Sequence, residues 1–181
     1  MLENLINLVR EQSRNVLQNN PAIPADKSQE AAQTAGNSIL ATLQGALSGG
    51  QLNEVLGFFK GGGTSAPGLV QQATGNYAQD LQNKLGLDPT QAQSVAEQVV
   101  PGTMNQLASK AADPADNSFD LQSIFNQLSG GKTGGIDIKS MLNRFGGGKL
   151  DKDGDGDVDL QDLKSMFSGG GVMDTVKGLF K

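Results

Sequence analysis

Short apolar runs at helical spacing, each closed by glycine or proline, are the feature that most constrains the fold of this chain. Residues 2–18 begin the series, with apolar side chains on one face of a helix and charged side chains opposite. No segment shows the apolar–polar alternation of a half-buried strand. Glycine makes up 25 of the 181 residues, about twice its usual share. The pattern predicts an all-α fold, a multihelical array of short helices with glycine joints.

Capping and stop residues predict where these helices begin and end. Asp26 is the expected N-cap of the second helix, which runs to Ser48 before two glycines. Residues 61–67 are interpreted as a flexible joint, because three consecutive glycines occur there. Asp88 has the spacing of an N-cap for a later helix, in which Pro101 is expected to introduce a kink or an interruption.

Two further sets of polar residues are interpreted as structural. Tyr77 is expected to be half-buried, with its hydroxyl in water. The small acidic cluster of Asp113, Asp116 and Asp120 is expected to supply helix caps and turn residues rather than metal ligands.

The absence of cysteine and histidine excludes several classes of chemistry. Cys/His zinc sites, thiol nucleophiles and Ser–His–Asp triads all need one of these residues. We therefore expect that the protein is not an enzyme. No basic patch is present to hold phosphates, so nucleic-acid binding is not expected either.

No apolar run approaches the length of a membrane span. Glu3 stands where a signal peptide would carry basic residues, and the expected location is the cytoplasm.

The net charge of −5 comes from one short segment. Residues 151–162 contain six aspartates and one lysine, which sum to −5. The rest of the chain has 19 − 6 = 13 acidic and 14 − 1 = 13 basic residues, which cancel. This segment is therefore the strongest candidate for a binding site.

The acidic segment fits the twelve-position loop of an EF-hand. Gly156 occupies position 6, where the backbone turns sharply, and Val158 occupies position 8, the apolar anchor. Carboxylates occupy positions 1, 3, 5, 9 and 12, and position 7 contributes its carbonyl. The predicted metal ligands are Asp151, Asp153, Asp155, Asp157, Asp159 and Asp162. Ca²⁺ is the favoured ion and Mg²⁺ the alternative, because the closing residue is Asp where Glu is usual.

The competing interpretation of this segment is a solvated acidic turn without an ion. Binding is favoured because the glycine, the apolar anchor and the closing carboxylate all occur at the correct positions. Six carboxylates in twelve residues also repel one another unless a counter-ion is present.

A degenerate copy of the loop precedes it. Residues 129–150 align with the acidic segment at an offset of 22, so that Gly134–Ile138 lies over Gly156–Leu160. The ligand positions of this copy hold Ser129, Gly131, Thr133 and Ser140, so it is not expected to bind metal. The loop–helix arrangement resembles dockerin modules, which implies a protein partner. Glycines at 146–148 interrupt the entering helix, however, and only one loop is complete.

The helical part of the chain resembles a bacterial family. Residues 81–88 read Leu-Gln-Asn-Lys-Leu-Gly-Leu-Asp, and residues 96–101 read Ala-Glu-Gln-Val-Val-Pro. This sequence pattern resembles the YidB-like proteins over about residues 45–110, with Leu107 and, more loosely, residues 48–52 also matching. The resemblance implies an all-helical domain whose biochemical role is not established, and it supplies no functional residues.

These observations predict two regions, a YidB-like helical domain at 1–112 and a C-terminal helical region at 113–181. The expected function is calcium binding that structures the C-terminal helices. The alternative is a calcium-dependent protein-interaction module, either a sensor or dockerin-like, with an unidentified protein partner. The sequence does not specify the oligomeric state.

Overall fold

The computed structural model describes residues 2–113, 116–131, 137, 138, 140 and 142. Within these ranges the chain contains helices and turns but no β-strand, so the prediction of an all-α fold is confirmed there. The α-helices are α1 (Leu2–Asn19), α2 (Ser28–Ser48), α3 (Leu52–Gly61), α4 (Pro67–Asp80), α5 (Pro89–Ala112) and α6 (Leu121–Leu128). No helix in the described part of the chain is long and apolar enough to cross a membrane.

The amphipathic pattern of residues 2–18 forms α1, which packs against α2 and α5. Leu5 and Val9 are completely buried on that face. The helix is bent at Ser13, where φ is −113° and ψ is 16°. A serine is a common site for such a bend, since its hydroxyl competes for backbone hydrogen bonds.

The start of α2 differs from the prediction. A 3₁₀ turn, Ala25–Lys27, follows Pro24 and leads directly into α2. Asp26 therefore lies inside the turn, and the N-cap position of α2 falls on Lys27, which makes no side-chain capping bond. The prediction that Asp26 caps this helix was wrong, because the turn begins one residue earlier.

The segment between α3 and α4, predicted to be a flexible joint, is hydrogen-bonded to α5. The N–H of Gly63 donates to Asn105 Oδ1 at 2.8 Å. Gly62 adopts a φ of +71°, which disfavours a side chain. A Cβ on Gly63 would lie 2.9 Å from Asn105 Oδ1 and 3.0 Å from Val70 Cγ2. Gly63 therefore allows the backbone to lie close to the side chains of Asn105 and Val70.

The start of α5 confirms the predicted N-cap. Asp88 Oδ1 accepts the N–H groups of Thr90 and Gln91, both at 3.0 Å. Pro101 does not interrupt the helix, which runs unbroken from Pro89 to Ala112. Both neighbouring turns are anchored, since Val100 and Met104 are completely buried, and this packing outweighs the one hydrogen bond that proline removes.

Tyr77 lies at the centre of the α2–α4 interface, contrary to the expectation of half-burial. Its side chain has no exposed surface, and its hydroxyl donates to the carbonyl of Ala31 at 3.1 Å. Burial raises the pKa of the Tyr77 hydroxyl well above its ordinary value. Helical periodicity of the sequence alone could not place this contact, because the two residues are 46 apart in the chain.

The described residues beyond 113 join the same core. Phe125 of α6 is completely buried, and its ring centroid lies 5.6 Å from that of Phe59 in α3. Ile138 is completely buried as well. The division of the chain at residue 113 stays a prediction, but α6 does not pack apart from the preceding helices.

Candidate metal centre

All six predicted metal ligands, Asp151, Asp153, Asp155, Asp157, Asp159 and Asp162, lie outside the described residues. So do Gly156 and Val158, which the loop pattern requires. Within the described part of the chain, no group of three or more acidic side chains is arranged to hold a metal ion. Two segments that precede it in the chain share part of its sequence pattern, and their capping contacts are described.

The first related segment is the start of α6. Asp120 Oδ2 accepts the backbone N–H of Ser123 at 2.9 Å and its hydroxyl at 3.1 Å. The carboxylate thereby satisfies a backbone donor of the first turn that has no partner within the helix. Asp120 is thus an N-cap, as predicted for this acidic cluster.

The second related segment lies at Asp137. Its carboxylate accepts the backbone N–H of Ser140 at 3.1 Å and the Ser140 hydroxyl at 2.6 Å. The following residue, Ile138, is completely buried, and its N–H donates to Gln122 Oε1 of α6 at 3.2 Å. The cap is therefore attached both to the core and to the preceding helix.

The two caps share a sequence signature that recurs in the acidic loop. Each reads apolar residue, Asp, Leu or Ile, any residue, Ser: Phe119–Ser123 and Ile136–Ser140. The third copy, Val158–Asp162, has the same apolar residue, Asp and Leu, but Asp162 stands where the serine would be. The offset of 22 found only the last two copies, because the spacing between the first two is 17. The pattern that all three share, an apolar residue followed by Asp and then Leu or Ile, would have revealed the first copy as well.

Aspartate at position 162 cannot make the hydrogen bond that serine makes at the corresponding position of the other two copies. A serine hydroxyl donates a hydrogen bond to the capping carboxylate, as Ser123 and Ser140 do. An ionised aspartate only accepts hydrogen bonds. Two carboxylates at the cap and at the third helical position repel each other unless a cation or a proton lies between them.

Asp116, which lies four residues before Asp120, has partners of its own. The ammonium of Lys110 lies 3.1 Å from Asp116 Oδ2, and the N–H of Ser118 donates to Asp116 Oδ1 at 2.8 Å. Hydrogen bonds from Ser118, and then from Lys110, hold the pKa of the Asp116 carboxyl below its ordinary value. Asp116 is thus occupied as a turn residue, which agrees with the structural interpretation of this cluster.

Comparison with known proteins gives one family. Residues 68–178, more than half of the chain, match the family described as bacterial protein of unknown function (DUF937). The matched range contains α4 except for its first residue, all of α5 and α6, and the acidic segment 151–162. Neither the search of curated proteins nor that of solved structures found a match. The chain belongs to the DUF937 family of bacterial proteins of unknown function.

Proposed function

We propose that this protein binds one calcium ion through residues 151–162, and that the ion stabilises the helix that follows the loop. The observation that carries the proposal is that Asp162 stands where the two described copies have a serine that donates to the capping aspartate. In both described copies, the serine at this position donates to the capping aspartate, at 3.1 Å from Ser123 and 2.6 Å from Ser140. In the third copy that donor is missing, and a cation is the natural substitute.

The proposed mechanism follows from the cap. Asp159 corresponds to Asp120 and Asp137, so it would cap the first turn of the last helix of the repeat. Asp162 would face it from within that turn and close the coordination sphere. Without an ion, the two carboxylates would oppose formation of the turn. With an ion, the same groups would stabilise it, so that ion binding and helix formation are linked.

The ligand set favours calcium. Carboxylate and carbonyl oxygens are hard ligands, which suit Ca²⁺ or Mg²⁺ and not the softer transition metals. A twelve-residue loop offers more than six oxygens in a flexible arrangement, which Ca²⁺ accepts and the strictly octahedral Mg²⁺ does not. The short side chain of Asp162 weakens this preference relative to glutamate, so Mg²⁺ is the competing ion.

The remaining parts of the proposal concern the helical region. We propose a YidB-like arrangement for it, supported by residues that act on the helices themselves. Gly86 ends the turn after α4 with a φ of +75°, and Asp88 caps α5. Because these residues end or cap helices, no active site is proposed on them. We propose a binding protein rather than an enzyme. A cytoplasmic location is a further part of the proposal.

Calorimetric titration of the full chain with Ca²⁺ and with Mg²⁺ tests this function. The double variant Asp151→Ala plus Asp155→Ala should lose at least about a hundredfold in calcium affinity, since each removed carboxylate is a direct ligand. The matched control is Asp26→Ala plus Glu30→Ala, which removes two exposed carboxylates outside the loop. Equal affinity in the loop variant and the unmodified chain would show that the site is elsewhere.

An apolar dye distinguishes the structural role of the ion from a sensor role. Calcium should raise the melting temperature with little change in dye binding. A large calcium-dependent increase in dye binding would instead show exposure of apolar surface, as in a sensor.

A further inference from the structure

A solvent-open cavity of about 280 Å³ lies between α1 and the start of α2, and most of the residues that line it are exposed. Two of the three arginines of the chain, Arg10 and Arg14, line it from α1. They precede and follow the bend at Ser13. Ala25 and Gln29 line it from the other side. The cavity is unrelated to the proposed calcium loop.

The charge of this cavity is one-sided. None of the described residues that line it carries a carboxylate. Arg10 and Arg14 make no ion pair with any described residue, although Glu11 lies next to Arg10 in the sequence. The sequence of α1 contains two acidic and two basic residues, which sum to zero, but the helix does not bring opposite charges together at this point.

Neutral hydrogen-bonding groups line the same cavity as Arg10 and Arg14. Gln18 and Gln29 line the cavity, and their side-chain amides form no hydrogen bond with the described residues. Ser28 Oγ is already committed, since it donates to the carbonyl of Leu17 at 2.8 Å. The cavity therefore presents two guanidinium groups and two side-chain amides that have no hydrogen-bonding partner among the described residues.

We propose that this cavity binds the phosphate group of a small soluble ligand. Two guanidinium groups offer more donors than a carboxylate, with two oxygens, can accept, whereas a phosphate monoester has three terminal oxygens. The volume lies just below the usual range for small-molecule pockets, about 300–1,000 Å³, which limits the ligand to inorganic phosphate or a small ester. Leu17 and Ala25 provide an apolar wall for the carbon atoms of such an ester.

Nuclear magnetic resonance of the ¹⁵N-labelled full chain tests this proposal. Inorganic phosphate and glycerol 3-phosphate are titrated separately, without added calcium so that calcium phosphate does not precipitate. Saturable chemical-shift changes are expected at residues of the cavity. Acetate should bind at least about tenfold more weakly than phosphate, because its two oxygens can pair with only one guanidinium group. Absence of saturable shifts with either phosphate compound would overturn the proposal.

Matched variants separate recognition from net charge. Arg10→Gln plus Arg14→Gln should weaken phosphate binding at least about tenfold, and Arg14→Lys should weaken it less. Lys60→Gln plus Lys84→Gln removes the same charge from exposed positions on other helices and should leave binding unchanged. Circular dichroism checks that each variant is folded. Equal losses in the two double variants would show that the attraction is nonspecific and would overturn the site.

A vesicle arm distinguishes a soluble ester from a lipid headgroup. Phosphatidylcholine vesicles with and without phosphatidic acid are sedimented with the protein. No phosphatidate-dependent sedimentation is expected. If sedimentation depends on Arg10 and Arg14 while glycerol 3-phosphate fails to bind, the ligand is a membrane surface and the proposal of a soluble ligand is wrong.

Discussion

Ser140 donates both its backbone N–H and its hydroxyl to the carboxylate of Asp137, at 3.1 and 2.6 Å. Ser123 makes the same pair of bonds to Asp120. The repetition defines a cap in which a serine supplies both donors to the carboxylate. In the acidic loop the same signature has Asp162 in place of the serine, so the hydroxyl donor of the other two caps is missing there.

Asp162→Ser should convert the proposed calcium-dependent cap into one that needs no ion. Calcium affinity should fall at least about tenfold, because the closing ligand is removed. Helix content of the calcium-free protein should rise relative to the unmodified chain, because the opposing carboxylate is replaced by a donor. Calorimetry and circular dichroism measure the two effects.

Asp162→Ala is the control for this conversion. It removes the carboxylate but supplies no donor, so it should lose calcium affinity with a smaller gain of helix. If Asp162→Ser left helix content unchanged in the absence of calcium, the likeness of the third copy to the two described caps would be refuted.

Asp120→Ala should destabilise the protein by about 1 kcal/mol, the usual cost of removing an N-cap. The loss leaves the first-turn N–H of Ser123 without its carboxylate partner. Asp26→Ala is the control, since Asp26 also lies near a helix start but is exposed and caps nothing. Urea denaturation of both variants should show a loss only for Asp120→Ala, and equal losses would mean that the cap contributes nothing.

Tyr77 should make the protein sensitive to alkali. Its hydroxyl has a pKa near 10 when unfolded and a higher pKa when folded, so the folded state retains the proton more firmly. The stability that this difference contributes is fully present below about pH 10 and is lost as the pH rises toward the folded pKa.

Tyr77→Phe should reduce the dependence of stability on pH above 10. At neutral pH it should cost about 1 kcal/mol, because the hydrogen bond to Ala31 is lost. Denaturant titrations across this pH range measure both effects. An unchanged alkaline slope in Tyr77→Phe would assign the titration to other groups.

Two glycines should respond to the same substitution with opposite signs. Gly63→Ala should destabilise the protein by more than about 1 kcal/mol, since its Cβ would meet Asn105 and Val70 at about 3 Å. Gly102→Ala should stabilise it by about 0.5–1 kcal/mol, because Gly102 lies exposed within α5 with nothing within 4 Å of its Cβ. Thermal unfolding compares the two variants. Destabilisation by Gly102→Ala would contradict the helix argument.

Local signals predicted the helices well where the relevant interaction is itself local. Asp88 is followed by the N–H groups that it caps within three residues, so spacing alone identifies it. Pro101 shows the limit of this reasoning, since burial of Val100 and Met104 holds the helix together across it.

Contacts between distant segments were not predictable from spacing. Tyr77 and Ala31 are 46 residues apart, and Gly63 and Asn105 are 42 apart. The burial of the tyrosine and the order of the glycine segment both depend on these pairings. The acidic loop differs from these contacts, because its predicted ligands are close together in the sequence. Their spacing alone therefore predicts a metal site, without knowledge of the tertiary structure.

Calcium titration of the unmodified full chain, followed by calorimetry, tests the central claim most directly. The account predicts saturation at one ion per chain, together with a rise in melting temperature that follows the occupancy of the site. A chain that takes up no calcium, or takes it up without any rise in melting temperature, would contradict the proposal that the ion stabilises the C-terminal helices.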